Sequence, residues 1–147
     1  MKRRCLSRVR ALSATVRCVV KSRASLVDLS ALVSCGRSGV AWTIDRPLLV
    51  CLEEYSSRAE SMLRELARSW PWVRSSGLEE AFRRACRAVG RTQSCLTGSR
   101  ERSLSGWANV GPGYAKDLVE MVGAVDDLVK GVAEELGSED SDENVRD

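Results

Sequence analysis

Histidine, the commonest acid–base catalyst and a frequent metal ligand, is absent from the 147 residues of this chain. Its absence excludes Ser-His-Asp triads, histidine acid–base chemistry and His-ligated zinc or haem. Carboxylates occur as adjacent pairs, and neighbours on a helix point about 100° apart. These pairs are therefore interpreted as solvated faces and not as catalytic dyads: Glu53-Glu54, Glu79-Glu80, Asp126-Asp127 and Glu134-Glu135.

The segment from Gly106 to Gly113 contains three glycines, as phosphate-binding loops do. A P-loop needs Lys and then Ser or Thr directly after its second glycine, whereas Pro112 follows Gly111 here. A dinucleotide-binding motif would need glycine at the position of Lys116. We interpret the segment as a turn that opens the last helix, and we predict no cofactor.

The six cysteines are spread along the chain without a Cys-x-x-Cys pair, so neither a zinc nor a redox site is predicted. Their even number permits a disulfide framework, but the first 27 residues lack the pattern of a signal peptide. We therefore predict free thiols, with Cys51 and Cys86 as small buried hydrophobic residues. Cys86 lies near several arginines, yet core packing is favoured over a nucleophilic role, and no enzymatic activity is predicted.

Arginine outnumbers lysine 19 to 4. Arginine binds phosphate and carboxylate in bidentate fashion, but uncharged residues are skewed as well, which favours biased coding DNA as the cause. A short viral or recently evolved accessory gene has such a composition, so a viral accessory factor is one hypothesis.

Charge is polarised along the chain. The net charge is +8 over residues 1–27, 0 over 28–52, +3 over 53–104 and −8 over 105–147. Residues 138–147 contain five carboxylates against one arginine and are predicted to form a disordered acidic tail. Two groups of cations are candidate sites for an anion or a nucleic acid: Arg3, Arg4, Arg8, Arg10, Arg17 and Lys21 in the first, Arg83, Arg84, Arg87 and Arg91 in the second.

These cations support several alternatives. Phosphate contacts would give salt-sensitive RNA or DNA binding, with Trp70, Trp72 and Trp107 available to stack on bases. The Arg-rich, acid-free residues 1–27 also have features of a mitochondrial presequence, of a peripheral contact with an anionic membrane, or of a nuclear signal at residues 2–4. No transmembrane segment is predicted.

The periodicity predicts mainly helices. We expect a basic amphipathic helix over residues 5–23, which could also be an arm, and a short helix over 26–33. A long helix follows between Asp45 and Trp70, and another begins at Ser76 and stops at Gly90. Residues 40–44 are predicted to be extended coil and 91–113 a long loop. The last helix begins after Pro112 and ends at Gly137.

Two apolar stripes of about three heptads dominate the pattern. One consists of Leu48, Leu52, Tyr55, Ala59, Met62 and Leu66, and the other of Tyr114, Leu118, Met121, Val125, Leu128 and Val132. Packed against each other, they predict an all-α fold, a small antiparallel bundle of about four to five helices with its domain over residues 25–137. Presented outward, either stripe could serve as an interaction seam.

The leading hypothesis is a non-enzymatic helical adaptor or accessory protein that binds a partner protein through helical faces and charged arms. The alternatives are a basic RNA-binding protein and a mitochondrially imported helical protein. A homo-oligomer is compatible with the stripes, and an intracellular location, in the cytoplasm or nucleus, is expected unless residues 1–27 direct import.

Overall fold

The computed structural model describes residues 2–26, 42–70, 76–102, 107–110 and 112–146, with side chains over 7–26, 48, 50–70, 77–93 and 116–137. These residues form an all-α bundle of four helices, as predicted, together with one short two-stranded ribbon. The helix predicted over 26–33 lies, apart from Leu26, outside the described residues. The helices are α1 Lys2–Ala24, α2 Arg46–Ser69, α3 Ser76–Arg102 and α4 Pro112–Arg146.

The beginnings of three helices follow the predicted signals. Helix α2 begins at Arg46, α3 at Ser76 and α4 at Pro112. Helix α2 also ends where predicted, directly before Trp70. Proline fits the first turn of a helix because the N–H it lacks would have no intrahelical partner there. The two predicted four-residue ion pairs of α2, Glu54–Arg58 and Glu60–Arg64, are both formed.

The predicted stop at Gly90 is wrong, because α3 continues to Arg102. Gly90 does not take the left-handed conformation that ends helices. Buried Thr92 extends the apolar face of α3 by another turn, and its hydroxyl donates to the carbonyl of Ala88 at 3.0 Å. Much of the predicted loop over 91–113 is therefore helical.

The last helix also passes the glycine predicted to end it. Helix α4 runs through Gly137 to Arg146, and Gly137 likewise lacks a left-handed conformation. A glycine inside a helix costs about 1 kcal/mol relative to alanine, which weakens a helix without terminating it. Residues 138–146 thus have a helical backbone where the charge pattern predicted a disordered tail.

The extended-coil prediction is corrected by a ribbon of two strands, β1 Trp42–Asp45 and β2 Trp107–Val110. The strands are antiparallel, with Trp42 opposite Val110 and Asp45 opposite Trp107. An isolated strand cannot form a sheet, and the pairing partner lies more than 60 residues away along the chain. Because β1 leads into α2 and β2 leads towards α4, the ribbon holds the starts of these two helices at the same end of the bundle.

Side-chain contacts give the order of the helices. Arg23 of α1 lies near Tyr55 of α2, and α1 packs mainly on α2. Gln93 of α3 donates to Glu60 of α2. Helices α3 and α4 pack closely, and Arg84 forms an ion pair with Asp127 across them. Consecutive helices run antiparallel, and α4 also contacts α1 and closes the bundle.

The side chain of Leu78 on α3 packs closely over Gly131 of α4. The position that a β-carbon would occupy there is 3.0 Å from Cδ1 of Leu78, whereas Gly123 has no atom within 4 Å of the equivalent position. Of the two glycines within the predicted α4 pattern, Gly131 therefore marks a close approach between helices. Gly123 has no such packing role.

Candidate binding surfaces

The two apolar stripes lie inside the bundle. Their described members form one buried cluster together with residues of α1 and α3, and Leu48 packs against its edge. An interface through either stripe would therefore require the fold to open. The buried stripe residues are Leu52, Tyr55, Ala59, Met62, Leu66, Leu118, Met121, Val125, Leu128 and Val132.

Most of the candidate cations on α3 are matched by carboxylates. Arg83 donates to Glu79 at 2.8 Å, and Arg84 donates to Asp127 at 3.1 Å. Arg87 lies 4.0 Å from Glu80, too far for a good hydrogen bond. Arg91 is exposed and forms no ion pair with the residues that the structure describes. The second predicted cation group is thus largely neutralised within the chain.

A shallow, largely open depression lies on the surface of the N-terminal half of α3. Its volume is about 460 Å³, and its lining consists of Glu80, Phe82, Arg83, Cys86 and Arg87. We call this depression the α3 groove. Phe82 is half-buried and packs against Trp70, with ring centroids 5.4 Å apart and planes inclined by 40°. An aromatic and a thiol group therefore lie beside two guanidinium groups on the same helix surface.

The cysteine prediction is correct in part. Cys18, Cys51 and Cys86 are free thiols, and the side chains of the other three lie outside those described. Cys51 packs at the edge of the core, but Cys86 is exposed, so its predicted burial is wrong. Partial burial nevertheless raises the pKa of the Cys86 thiol. A raised pKa lowers the thiolate fraction and makes Cys86 a poor nucleophile at neutral pH.

The outward face of α1 differs from that of α3. Arg10, Arg17 and Lys21 are exposed, and none of them forms an ion pair with the described part of the chain. Helix α1 contains no carboxylate. We call this set of three cations, with the residues between them on the same face, the α1 cationic face.

The remaining cations of the first predicted group are placed differently. Arg8 is half-buried, and the side chains of Arg3 and Arg4 lie outside those described. Trp70 packs inward against Phe82 and is not available for base stacking. Trp72 and the side chain of Trp107 also lie outside the described part of the chain.

A partly exposed ion pair links the C-terminal end of α1 to α4. Arg23 lies 3.2 Å from Asp126 and also donates to the carbonyl of Leu26 at 3.1 Å. Tyr55, which is fully buried, lies close to this pair. Burial and the negative charge of Asp126 raise the pKa of the Tyr55 hydroxyl, while Arg23 acts in the opposite direction. Tyr55 therefore stays neutral in the folded protein.

Asp126 and Asp127 have a role that the interpretation as a solvated face missed. Because neighbours on a helix point about 100° apart, one carboxylate reaches α1 and the other reaches α3. The sequence gives no distinguishing signal for this role, because Glu53-Glu54 interrupts the first stripe in the same way and Glu54 pairs with Arg58 of its own helix.

Within the side chains described, no three or more cysteine, aspartate or glutamate residues are grouped to hold a metal ion. None of the helices described has an apolar stretch long enough to cross a bilayer. Comparison with protein-family models, curated proteins and solved structures finds no match to this chain.

Proposed function

We propose that this chain is a non-enzymatic helical interaction protein that binds a partner protein through the α3 groove. The observation that supports this most is the surface depression in which Phe82 and Cys86 lie beside Arg83 and Arg87. Aromatic and arginine side chains are enriched in protein interfaces and supply most of their strongest contacts.

The helix segment that lines the groove is held against the core. Phe82 is held against Trp70, and Ala85 and Ala88, on the same helix, are buried in the core. A partner side chain that covers the exposed edge of Phe82 would gain apolar contact without a rearrangement of the bundle. Little of the binding free energy would then be lost in ordering the site.

The surroundings of Arg87 indicate which kind of side chain a partner would present to it. Its guanidinium is 4.0 Å from Glu80, so a carboxylate of the partner could form a shorter, bidentate pair with it. The partner segment we expect therefore carries an apolar side chain beside an acidic one. The acidic residue sets orientation, and the apolar residue supplies most of the affinity.

Substitution Arg87→Glu is expected to lower partner capture at least about tenfold, the effect of losing a strong interface contact. The measurement is photo-crosslinking from a reactive residue placed at position 86, with partner bands compared between the parent and the variant. The matched control is Arg68→Glu, which reverses a charge that lies outside the groove and is paired with Glu65 at 3.1 Å. A specific band at position 86 that is lost only with Arg87→Glu supports the proposal. Bands that are equal in both variants contradict it.

A further inference from the structure

The α1 cationic face lacks the aromatic and acidic side chains that line the α3 groove. Residues 2–24 contain eight Lys and Arg side chains counting Lys2 and Arg23, and they contain no carboxylate and no aromatic residue. On the outward face, Ser7, Ala14 and Ala24 accompany the cations, and Val20, 52% exposed, is the one large apolar side chain among those described. We propose that this face binds the phosphate backbone of double-stranded nucleic acid.

Charge is the first argument. Arg10, Arg17 and Lys21 follow one another at intervals of seven and four residues, which places them along one line of about 16 Å on the helix. Every described ion pair of α1 involves Arg23, at the end of the helix, so no carboxylate in the described part of the chain competes with a ligand for these three cations. A line of such cations fits a ligand with regularly repeated negative charges.

The side chains between the cations are the second argument. Small residues let the helix backbone approach a phosphate strand closely, and an α-helix has the diameter that the major groove of B-form DNA admits. Without an aromatic residue the face cannot stack on the unpaired bases of a single strand. With Val20 as its one large apolar residue, it lacks the buried anchors that a protein partner would use. A duplex is therefore favoured over both.

The test is the affinity of the full-length protein for a 20-base-pair duplex of random sequence, DNA or RNA, measured by fluorescence anisotropy between 50 and 200 mM salt. Three neutralised phosphates predict a slope of log affinity against log salt of about −2.7 for DNA, hence a loss of about 40-fold over this range. The variant Arg10→Gln/Arg17→Gln/Lys21→Gln is expected to bind at least about 30-fold more weakly at 50 mM salt and to lose most of the slope.

The matched control is Arg58→Gln/Arg64→Gln/Arg68→Gln, which removes the same charge from cations paired with carboxylates outside the α3 groove. It is expected to keep affinity within about threefold of the parent. The proposal is overturned if both triple variants lose equal affinity, since net charge alone would then explain binding. Tighter binding to single strands, to polyglutamate or to phosphatidylserine vesicles than to the duplex would also overturn it. The single variant Arg17→Gln, expected to reduce the DNA slope by about 1, repeats the test with minimal change to the fold.

Discussion

Removal of residues 1–24 is expected to unfold the protein at 25 °C. Helix α1 contributes Val9, Leu12, Val16 and Val19 to the core, where each is at most 7% exposed. At about 1.5–3 kcal/mol for each buried side chain, these four stabilise the fold by roughly 6–12 kcal/mol. That equals most of the 5–15 kcal/mol by which a typical domain is stable. The measurement is helical circular dichroism with urea denaturation of the truncated and the full chain.

The control truncation ends at Gly137 and keeps Leu136, the last buried residue of the described chain. This shorter chain is expected to unfold cooperatively with a midpoint close to that of the full protein. A chain lacking residues 1–24 that still unfolds cooperatively would contradict the account. It would also restore the interpretation of α1 as a detachable arm or cleaved presequence, which its buried face argues against.

Substitution Leu128→Asp is expected to destabilise the fold by more than about 4 kcal/mol, through lost packing and a buried charge without a partner. Leu128 is fully buried in the core between α4 and its neighbours. The free energy of unfolding from urea titration measures the effect. If the second stripe were an interface between molecules, the same change would instead give a folded chain that has lost its partner.

Ala133→Asp is the matched control, because it adds the same charge one turn further along the exposed side of α4. Its expected cost is below about 1 kcal/mol, mainly from the lower helix propensity of aspartate. A folded Leu128→Asp protein with parental helix content and a cooperative transition would contradict the placement of the stripe in the core.

The four helices could be predicted because their signals are local. Pro47 and Pro112 lie in first turns, and the 4-3-4-3-4 spacing of both stripes repeats within single segments. Where each helix ends was harder to predict. A glycine such as Gly90 or Gly137 ends a helix only if its backbone adopts the left-handed conformation. The sequence does not reveal whether side-chain contacts beyond the glycine stabilise a longer helix. Thr92, a polar residue by type, makes such a contact, since it is fully buried and its hydroxyl donates to the sulfur of Met121 on α4.

Non-local features could not be predicted from one pattern alone. The pairing of residues 42–45 with 107–110 joins two segments whose individual signals are weak. In the candidate surfaces, too, the local clusters of cations could be predicted, whereas their contacts with other parts of the chain could not. Sequence showed that Arg83, Arg84 and Arg87 cluster, but the structure shows which carboxylates of α3 and α4 offset them and that Arg10 and Arg17 form no ion pair with the described residues. The partner of Arg84, Asp127, comes from another helix, whereas Glu79 and Glu80 lie on α3 itself.

The central claim is that both apolar stripes are buried in the core of a single chain. The outward faces of α1 and α3 are then left as candidate binding surfaces. Light scattering during size-exclusion chromatography, repeated over a 100-fold range of protein concentration and at low and high salt, tests it most directly. The account predicts a monomer of 16.1 kDa at every concentration and salt condition, free of co-eluting nucleic acid at high salt. A dimer that dissociates only on unfolding would contradict it, because the stripes would then be shared between two chains.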